Sequence, residues 1–193
     1  MCRNGLFPSE QKMLAVTHAT GAPRTYFLKD SEEIAACPAD TKQCREGYVV
    51  PGQEVLTSKV MGKFVCAYFP NKSGGTAGWI AADQLAPSTM LASPASAAWI
   101  GKWTDATDEI DIDAAGKAIH ASGTATWDGG HGNVNEGSFD ASATPAKARA
   151  SFVDGECTVS TVLVERYLVV TDNTNCGGMN VRFDGVYQRK AAR

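Results

Sequence analysis

The sequence predicts an all-β protein of two domains that is held by disulfides. Short runs of β-branched and aromatic residues recur along the 193-residue chain, and turn-forming Gly, Pro, Asn and Asp separate them. The stretch 88–97 carries no charge and is rich in Ser, Ala and Pro, which is the composition of a linker. Six cysteines form an even set in a chain of this size. The order of domains is therefore an arm at 1–23, a small barrel at 24–87, a linker at 88–97 and a second antiparallel β-barrel at 98–190.

The charge balance excludes some classes of partner. Lys and Arg number 18 and Asp and Glu number 21, giving a formal net charge of -3. Such a chain has no cationic field that could hold nucleic acid or an anionic membrane. No run of about 18 apolar residues suggests a membrane-spanning helix. Met1 leads into polar residues without the apolar core of a signal peptide, so we expect the sequence to start at a mature protein with Met1 added.

The cysteines indicate the cellular compartment. They include no C-x-x-C pair, and three histidines are too few to favour a closed zinc site, so we expect disulfides and no metal or other cofactor. Disulfides persist in oxidising surroundings, which predicts a periplasmic or secreted protein. A lipid on Cys2, as in a bacterial lipoprotein, is the alternative to its use in a disulfide.

The pairing of the cysteines follows from their positions along the chain. Cys157 and Cys176 flank adjacent predicted strands in the second half, which favours a bridge between them. Among the four earlier cysteines three pairings are open. We favour Cys37 with Cys44, which enclose six residues, and Cys2 with Cys66.

The first domain shows five short strand patterns after a weakly patterned arm. The order Tyr48–Gly52, Val55–Leu56, Phe64–Tyr68 and Gly78–Ile80, closing with Asp83–Leu85, resembles a bacterial SH3 domain over about residues 24–87. Members of that family commonly act as targeting or interaction modules, often for the cell wall. The resemblance implies a ligand surface at Trp79, near the open face, with Tyr26 and Tyr68 as neighbours.

The sequence of the second domain predicts about eight antiparallel strands, which would form a closed or nearly closed barrel. In Glu109–Asp113 the residues alternate, so that two isoleucines face one side and three carboxylates the other. We interpret the carboxylates as a solvated strand face, in preference to a calcium site. The ending Asp172–Tyr187 resembles the terminus of uncharacterised extracytoplasmic bacterial domains, and the opening Trp99–Trp103 resembles lipocalin-like and lysozyme-inhibitor-like small barrels.

The sequence offers no set of catalytic residues. It lacks a G-x-S-x-G nucleophile elbow, and of the three histidines His131, in the loop DGGHGN, is the best placed for any chemical role. We therefore predict a non-catalytic binding protein of the bacterial envelope that recognises peptidoglycan or another envelope protein. The alternative is an inhibitor or immunity protein against a peptidoglycan hydrolase such as lysozyme. Its plug would be the DGGHGN loop or the turn Asn173–Gly178, where Asn173 is the candidate contact residue.

Overall fold

A computed structural model describes residues 1–9, 11–72, 74–88 and 93–190. It confirms the predicted fold class, because it contains two antiparallel sheets, one of them a nearly closed barrel, and three disulfides. The chain forms two compact units, Met1–Leu91 and Ala92–Arg193. Residues 89–92 of the predicted linker lie outside the described part, and Ser96–Ala98 form one 3-10 turn. No described helix is long and apolar enough to cross a membrane.

The first unit is built on a six-stranded sheet with the order β1-β4-β5-β6-β2-β3. Its strands are β1 (Ala15–His18), β2 (Thr25–Leu28), β3 (Arg45–Val49), β4 (Glu54–Met61), β5 (Phe64–Phe69) and β6 (Thr76–Ala81). The segment predicted as an arm thus supplies a strand, since β1 pairs with β4 along its whole length. Val16 is buried against the sheet, and the Thr17 hydroxyl donates to the Ala86 carbonyl at 2.5 Å, which together explain why this segment is not a free arm.

Asp30 is a buried hydrogen-bond acceptor in the first unit. Its carboxylate accepts hydrogen bonds from the Trp79 indole at 2.9 Å and from the Cys2 amide at 2.6 Å. Burial raises the pKa of Asp30, but these two hydrogen bonds and one from the Glu32 amide outweigh it, so that the pKa lies below its usual value. The carboxylate therefore stays ionised at neutral pH and stabilises the folded state there.

The second unit is an eight-stranded sheet with the order β10-β9-β8-β7-β14-β13-β12-β11. Its strands are β7 (Gly101–Thr104), β8 (Glu109–Ala115), β9 (Ala118–Asp128), β10 (Val134–Ala143), β11 (Arg149–Asp154), β12 (Cys157–Val164), β13 (Tyr167–Asp172) and β14 (Gly185–Arg189). The end strands β10 and β11 approach each other without a backbone ladder, and the Asp140 amide donates to the Asp154 carboxylate across the seam at 3.0 Å. The barrel is nearly closed in this way.

The alternation predicted for Glu109–Asp113 is confirmed, because Ile110 and Ile112 are fully buried in the barrel core.

The last strand is shorter than predicted. Residues 180–184 form a loop in which Val181 and Phe183 are buried, yet the Phe183 amide donates to the side-chain carboxylate of Asp172 instead of to a backbone carbonyl of β13. The strand prediction for Asn180–Asp184 was therefore wrong, because side-chain acceptors replace the sheet ladder there.

The three disulfides join Cys2 to Cys66, Cys37 to Cys44 and Cys157 to Cys176, the pairings favoured from the sequence. Each lies within one unit. The bridge from Cys2 fixes the start of the chain to β5, and the bridge from Cys157 fixes the loop after β13 to the start of β12.

Asp108 is a buried carboxyl group before β8. Its Oδ1 accepts from the Thr126 amide at 3.1 Å. Burial, with a smaller contribution from the charge of Asp105, raises the pKa of Asp108 to about 6, although the Thr126 hydrogen bond acts in the opposite direction. Because the unfolded pKa is lower, this group stabilises the folded state at low pH and loses that contribution as the pH rises from about 4 through 6.

We expect Asp30→Ala to lower the free energy of unfolding by about 2–5 kcal/mol, because two buried N–H donors would lose their acceptor. The measurement is urea unfolding at pH 7 followed by tryptophan fluorescence. Asp83→Ala, at an exposed carboxylate of the same unit, is the matched control and should change stability by less than about 0.5 kcal/mol. Equal effects of the two substitutions would contradict the role assigned to Asp30.

We expect Asp108→Asn to stabilise the second unit on the order of 1 kcal/mol above pH 6, because an amide keeps the acceptor for Thr126 without the cost of burying a charge. The gain should shrink as the pH falls towards 4, where the wild-type carboxyl is protonated in the folded state. Urea unfolding from pH 4 to pH 8 measures this profile. Asp113→Asn, on the exposed part of β8, should show no such pH dependence, and a flat difference for Asp108→Asn would exclude the linkage.

Candidate ligand-binding surface

The structure places Trp79 and Tyr68, two of the predicted ligand contacts, inside the first unit. Trp79 is 2% exposed, and its indole N–H is used by Asp30. Tyr68 is 7% exposed, its ring stacks on Phe7 at 5.2 Å, and its hydroxyl donates to the Gly74 carbonyl at 2.7 Å. Both aromatic rings therefore belong to the core of the unit.

Tyr26, the third predicted contact, lies at the surface. The flanking Thr25 and Phe27 of β2 point into the core, so the alternation of the strand turns Tyr26 outward. Tyr26 pairs across the ladder with Tyr48 of β3, and the two ring centroids are 6.0 Å apart in an edge-to-face arrangement. Tyr48 is 48% exposed, so the pair offers aromatic surface to solvent.

Two arginines flank this tyrosine pair. The central guanidinium carbon of Arg24 lies 4.2 Å from the centroid of the Tyr48 ring, and that of Arg45 lies 4.1 Å from the centroid of the Tyr26 ring. We call the group Arg24, Tyr48, Tyr26 and Arg45 the arginine–tyrosine ladder. Exposed contacts of this kind contribute about 0.5–1 kcal/mol each. The four side chains therefore support one another on the outer face of the β2–β3 hairpin.

A β-bulge puts Arg45 on the same face as Tyr48. Tyr26 pairs with Tyr48 and Leu28 with Arg45, so three steps along β3 match two along β2. In a regular strand, residues three apart would point to opposite faces, and the extra residue in β3 restores a common face. The bulge contains Gly47, where an added Cβ would lie 3.3 Å from Thr76.

The guanidinium groups of the ladder keep their hydrogen-bonding capacity. Within residues 1–9, 11–72 and 74–88, neither Arg24 nor Arg45 forms an ion pair. Both side chains are exposed, and a guanidinium that rests on a ring by one face still presents its N–H donors at its edge. The ladder can thus combine an aromatic surface with two anion-binding groups. Cross-strand packing alone would also stabilise the hairpin, so binding must be tested separately from folding.

Of the four residues in the ladder, Tyr26 was predicted from the sequence as a contact, whereas Tyr48, Arg24 and Arg45 were not. Outward alternation in β3 was a signal for Tyr48. The contact of Arg45 with Tyr26 depends on the β-bulge, and no residue pattern in the sequence predicted that bulge.

His131 lies at the exposed tip of the β9–β10 hairpin. The Gly129 amide donates to the Asn133 carbonyl at 2.9 Å, and the Gly130 amide donates to the Asp128 carboxylate at 2.8 Å. His131 itself adopts a positive φ of 53° between two glycines. The loop is therefore tightly turned, and it holds the imidazole out towards solvent.

Asn173, the predicted contact residue of the turn, is exposed, and its side chain also has a structural role. Its Oδ1 accepts from the Thr158 amide at 3.0 Å, and its Nδ2 donates to the Glu156 carbonyl at 2.7 Å. Both ends of the side chain therefore tie the loop after β13 to the β11–β12 turn.

The turn that was predicted as one plug packs against the first residues of β10, the strand that follows the other predicted plug, the loop 128–133. The Gly178 amide donates to the Glu136 carbonyl at 3.2 Å, and the Asn135 side chain donates to the Met179 carbonyl at 2.8 Å. Met179 is 79% exposed, although it is apolar. We call the loop 128–133 together with the turn 176–179 the barrel tip.

The outer face of β8, β9 and β10 is a shallow polar groove of about 410 Å³. Lys102 lies on one side of it, 2.6 Å from the Asp111 carboxylate and 3.4 Å from Glu109. The floor has small hydroxyl side chains, Ser122, Thr124 and Ser138, and the other side has Asp140 and Asp154. Among the described residues, no group of three or more His, Cys, Asp or Glu side chains could hold a metal ion.

Comparisons with protein-family models, with curated proteins and with solved structures find no significant match to this chain, so the interpretation of its surfaces rests on the chemistry of its own residues.

Proposed function

We propose that this chain is a non-catalytic binding protein of the bacterial envelope, and that the arginine–tyrosine ladder of its first unit holds cell-wall material. The observation that carries the proposal is the ladder itself, in which the exposed Tyr48 and the half-buried Tyr26 are flanked by two guanidiniums without ion-pair partners in the described part of the unit. Exposed aromatic rings and arginines are the residue types that most often dominate binding surfaces. Peptidoglycan offers both sugar faces and peptide carboxylates to such a surface.

The proposed location is the periplasm or the outside of the cell. Three disulfides and no free cysteine among the described residues support an oxidising compartment. Cell-wall material is present there, so location and ligand are consistent with each other.

A second candidate function is inhibition of a peptidoglycan hydrolase such as lysozyme. The observation that favours it is the barrel tip, which presents the exposed residues His131 and Met179. Residues 92–193 contain 13 acidic and nine basic residues, a formal net charge of −4 that suits a basic partner. In this reading the barrel tip enters the cleft of the enzyme.

We expect Tyr26→Ala combined with Tyr48→Ala to reduce binding to purified cell-wall sacculi at least tenfold, because the aromatic surface and the support of both arginines are lost. The measurement is the fraction of protein that pellets with sacculi across a range of sacculus concentrations. Met61→Ala removes an exposed apolar side chain from the β4–β5 hairpin of the same unit and is the matched control. Circular dichroism should show both variants folded, and undiminished pelleting of the tyrosine variant would refute the proposal.

If the second candidate function holds, a stoichiometric amount of oxidised protein should slow the lysis of sacculi by lysozyme, followed as loss of turbidity. His131→Ala combined with Met179→Ala should restore lysis, whereas Val153→Ala, at an exposed apolar residue of β11, should not. Unchanged lysis with the wild-type protein would eliminate this candidate, and loss of inhibition in both variants would show that the barrel tip is not the contact.

A further inference from the structure

We propose that the arginine–tyrosine ladder recognises carboxylate groups, one at each guanidinium, so that its ligand is a polymer with repeated free carboxylates. This inference rests on the proposed wall-binding function and names the chemical group that the site reads. In peptidoglycan the matching groups are the free carboxylates of the peptide stems. Amidation of those carboxylates would then abolish recognition.

The geometry of each guanidinium favours a planar anion. Each guanidinium carbon lies over a tyrosine ring, 4.1–4.2 Å from its centroid, and both arginine side chains are exposed, so their N–H donors can be reached from solvent. A carboxylate can accept two parallel N–H bonds from one guanidinium, which is a strong and directional pairing for arginine. The rings hold the guanidiniums in place beforehand, so less side-chain freedom is lost on binding.

The charge around the ladder argues against a polyphosphate ligand. Residues 1–91 contain nine basic and eight acidic residues, so the unit has a formal net charge of only +1. Dense phosphate polymers are held mainly by a strong cationic field, which this unit lacks. A ligand with isolated carboxylates needs only local two-point contacts, and the ladder supplies two of them at opposite ends of the tyrosine pair.

The presence of two guanidiniums in one ladder predicts avidity. A ligand that engages Arg24 and Arg45 together binds its second carboxylate as an intramolecular step, at a high effective concentration. Loss of either arginine should therefore weaken the binding of a polymer much more than the binding of a single carboxylate such as acetate.

The test compares native sacculi with three chemically treated preparations. Carbodiimide coupling to ammonia converts carboxylates to amides, hydrofluoric acid removes phosphodiester-linked polymers, and acetic anhydride blocks amines. We expect amidation to reduce binding at least tenfold, while the other two treatments leave it within about twofold. Undiminished binding to amidated sacculi would overturn the carboxylate inference while leaving wall binding intact, and binding that hydrofluoric acid abolishes would assign the ligand to phosphate.

Soluble probes keep the inference testable if native sacculi do not bind, a result that would refute the proposed function. Poly-L-glutamate should bind the wild-type protein at least tenfold more tightly than polyphosphate of equal charge. Arg24→Lys combined with Arg45→Lys keeps both charges but loses the planar fork, so it should lose this preference and at least tenfold in affinity for poly-L-glutamate. Lys59→Arg and Lys63→Arg, which also keep charge, serve as controls on the β4–β5 hairpin. Equal affinity of the wild type for both polymers, or an unaffected double-lysine variant, would overturn the inference.

Discussion

The buried carboxylate of Asp30 is the interaction on which the first unit depends. It accepts hydrogen bonds from an indole 49 residues ahead in the chain and from an amide 28 residues behind it, and the Cys2–Cys66 disulfide closes the same region covalently. An unpaired indole or amide in this core would cost more than the hydrogen bond contributes, so losing the carboxyl acceptor would destabilise the unit. With Trp79 held inward, β6 pairs with β2 at Leu28, and the β2–β3 hairpin is fixed with its tyrosines outward.

The second unit uses polar side chains in a similar way, in and around the loop between β13 and β14. Asp172 accepts from the amides of Thr174 and Phe183, and Asn173 bonds to the backbone of Glu156 in the β11–β12 turn and of Thr158 in β12. These contacts replace strand pairing in the long loop before β14 and allow Val181 and Phe183 to reach the core. The barrel tip is therefore held in place by side-chain hydrogen bonds and by the Cys157–Cys176 bridge, in addition to its few contacts with β10.

Local patterns in the sequence were sufficient for most of the strands and for the cysteine pairs. Alternation identified Ile110 and Ile112 as core residues, and the position of Cys157 and Cys176 beside adjacent strands predicted their bridge. Long-range partners were not accessible in this way. Nothing near Trp79 shows that Asp30 will take its indole N–H, so an aromatic residue that looked like a ligand contact is a core residue. The same limit applies to β1, whose weak pattern gains its strand conformation only from pairing with β4.

The ladder lies on an edge of the sheet, and this position explains how the same residues can both protect the edge strand and form a binding surface. β3 has a sheet neighbour on one side only, and an edge strand must be protected from pairing with other chains. A charged residue and a bulge are two common protections, and β3 has both in Arg45 and the irregular pairing at Gly47. The bulge that interrupts the edge also brings Arg45 over Tyr26. Each cation–π contact contributes only about 0.5–1 kcal/mol. These contacts therefore position the guanidinium groups while leaving their N–H donors available to a ligand. A ligand that pairs with their open edges need not break these contacts, so the feature that protects the edge also prepares it for binding.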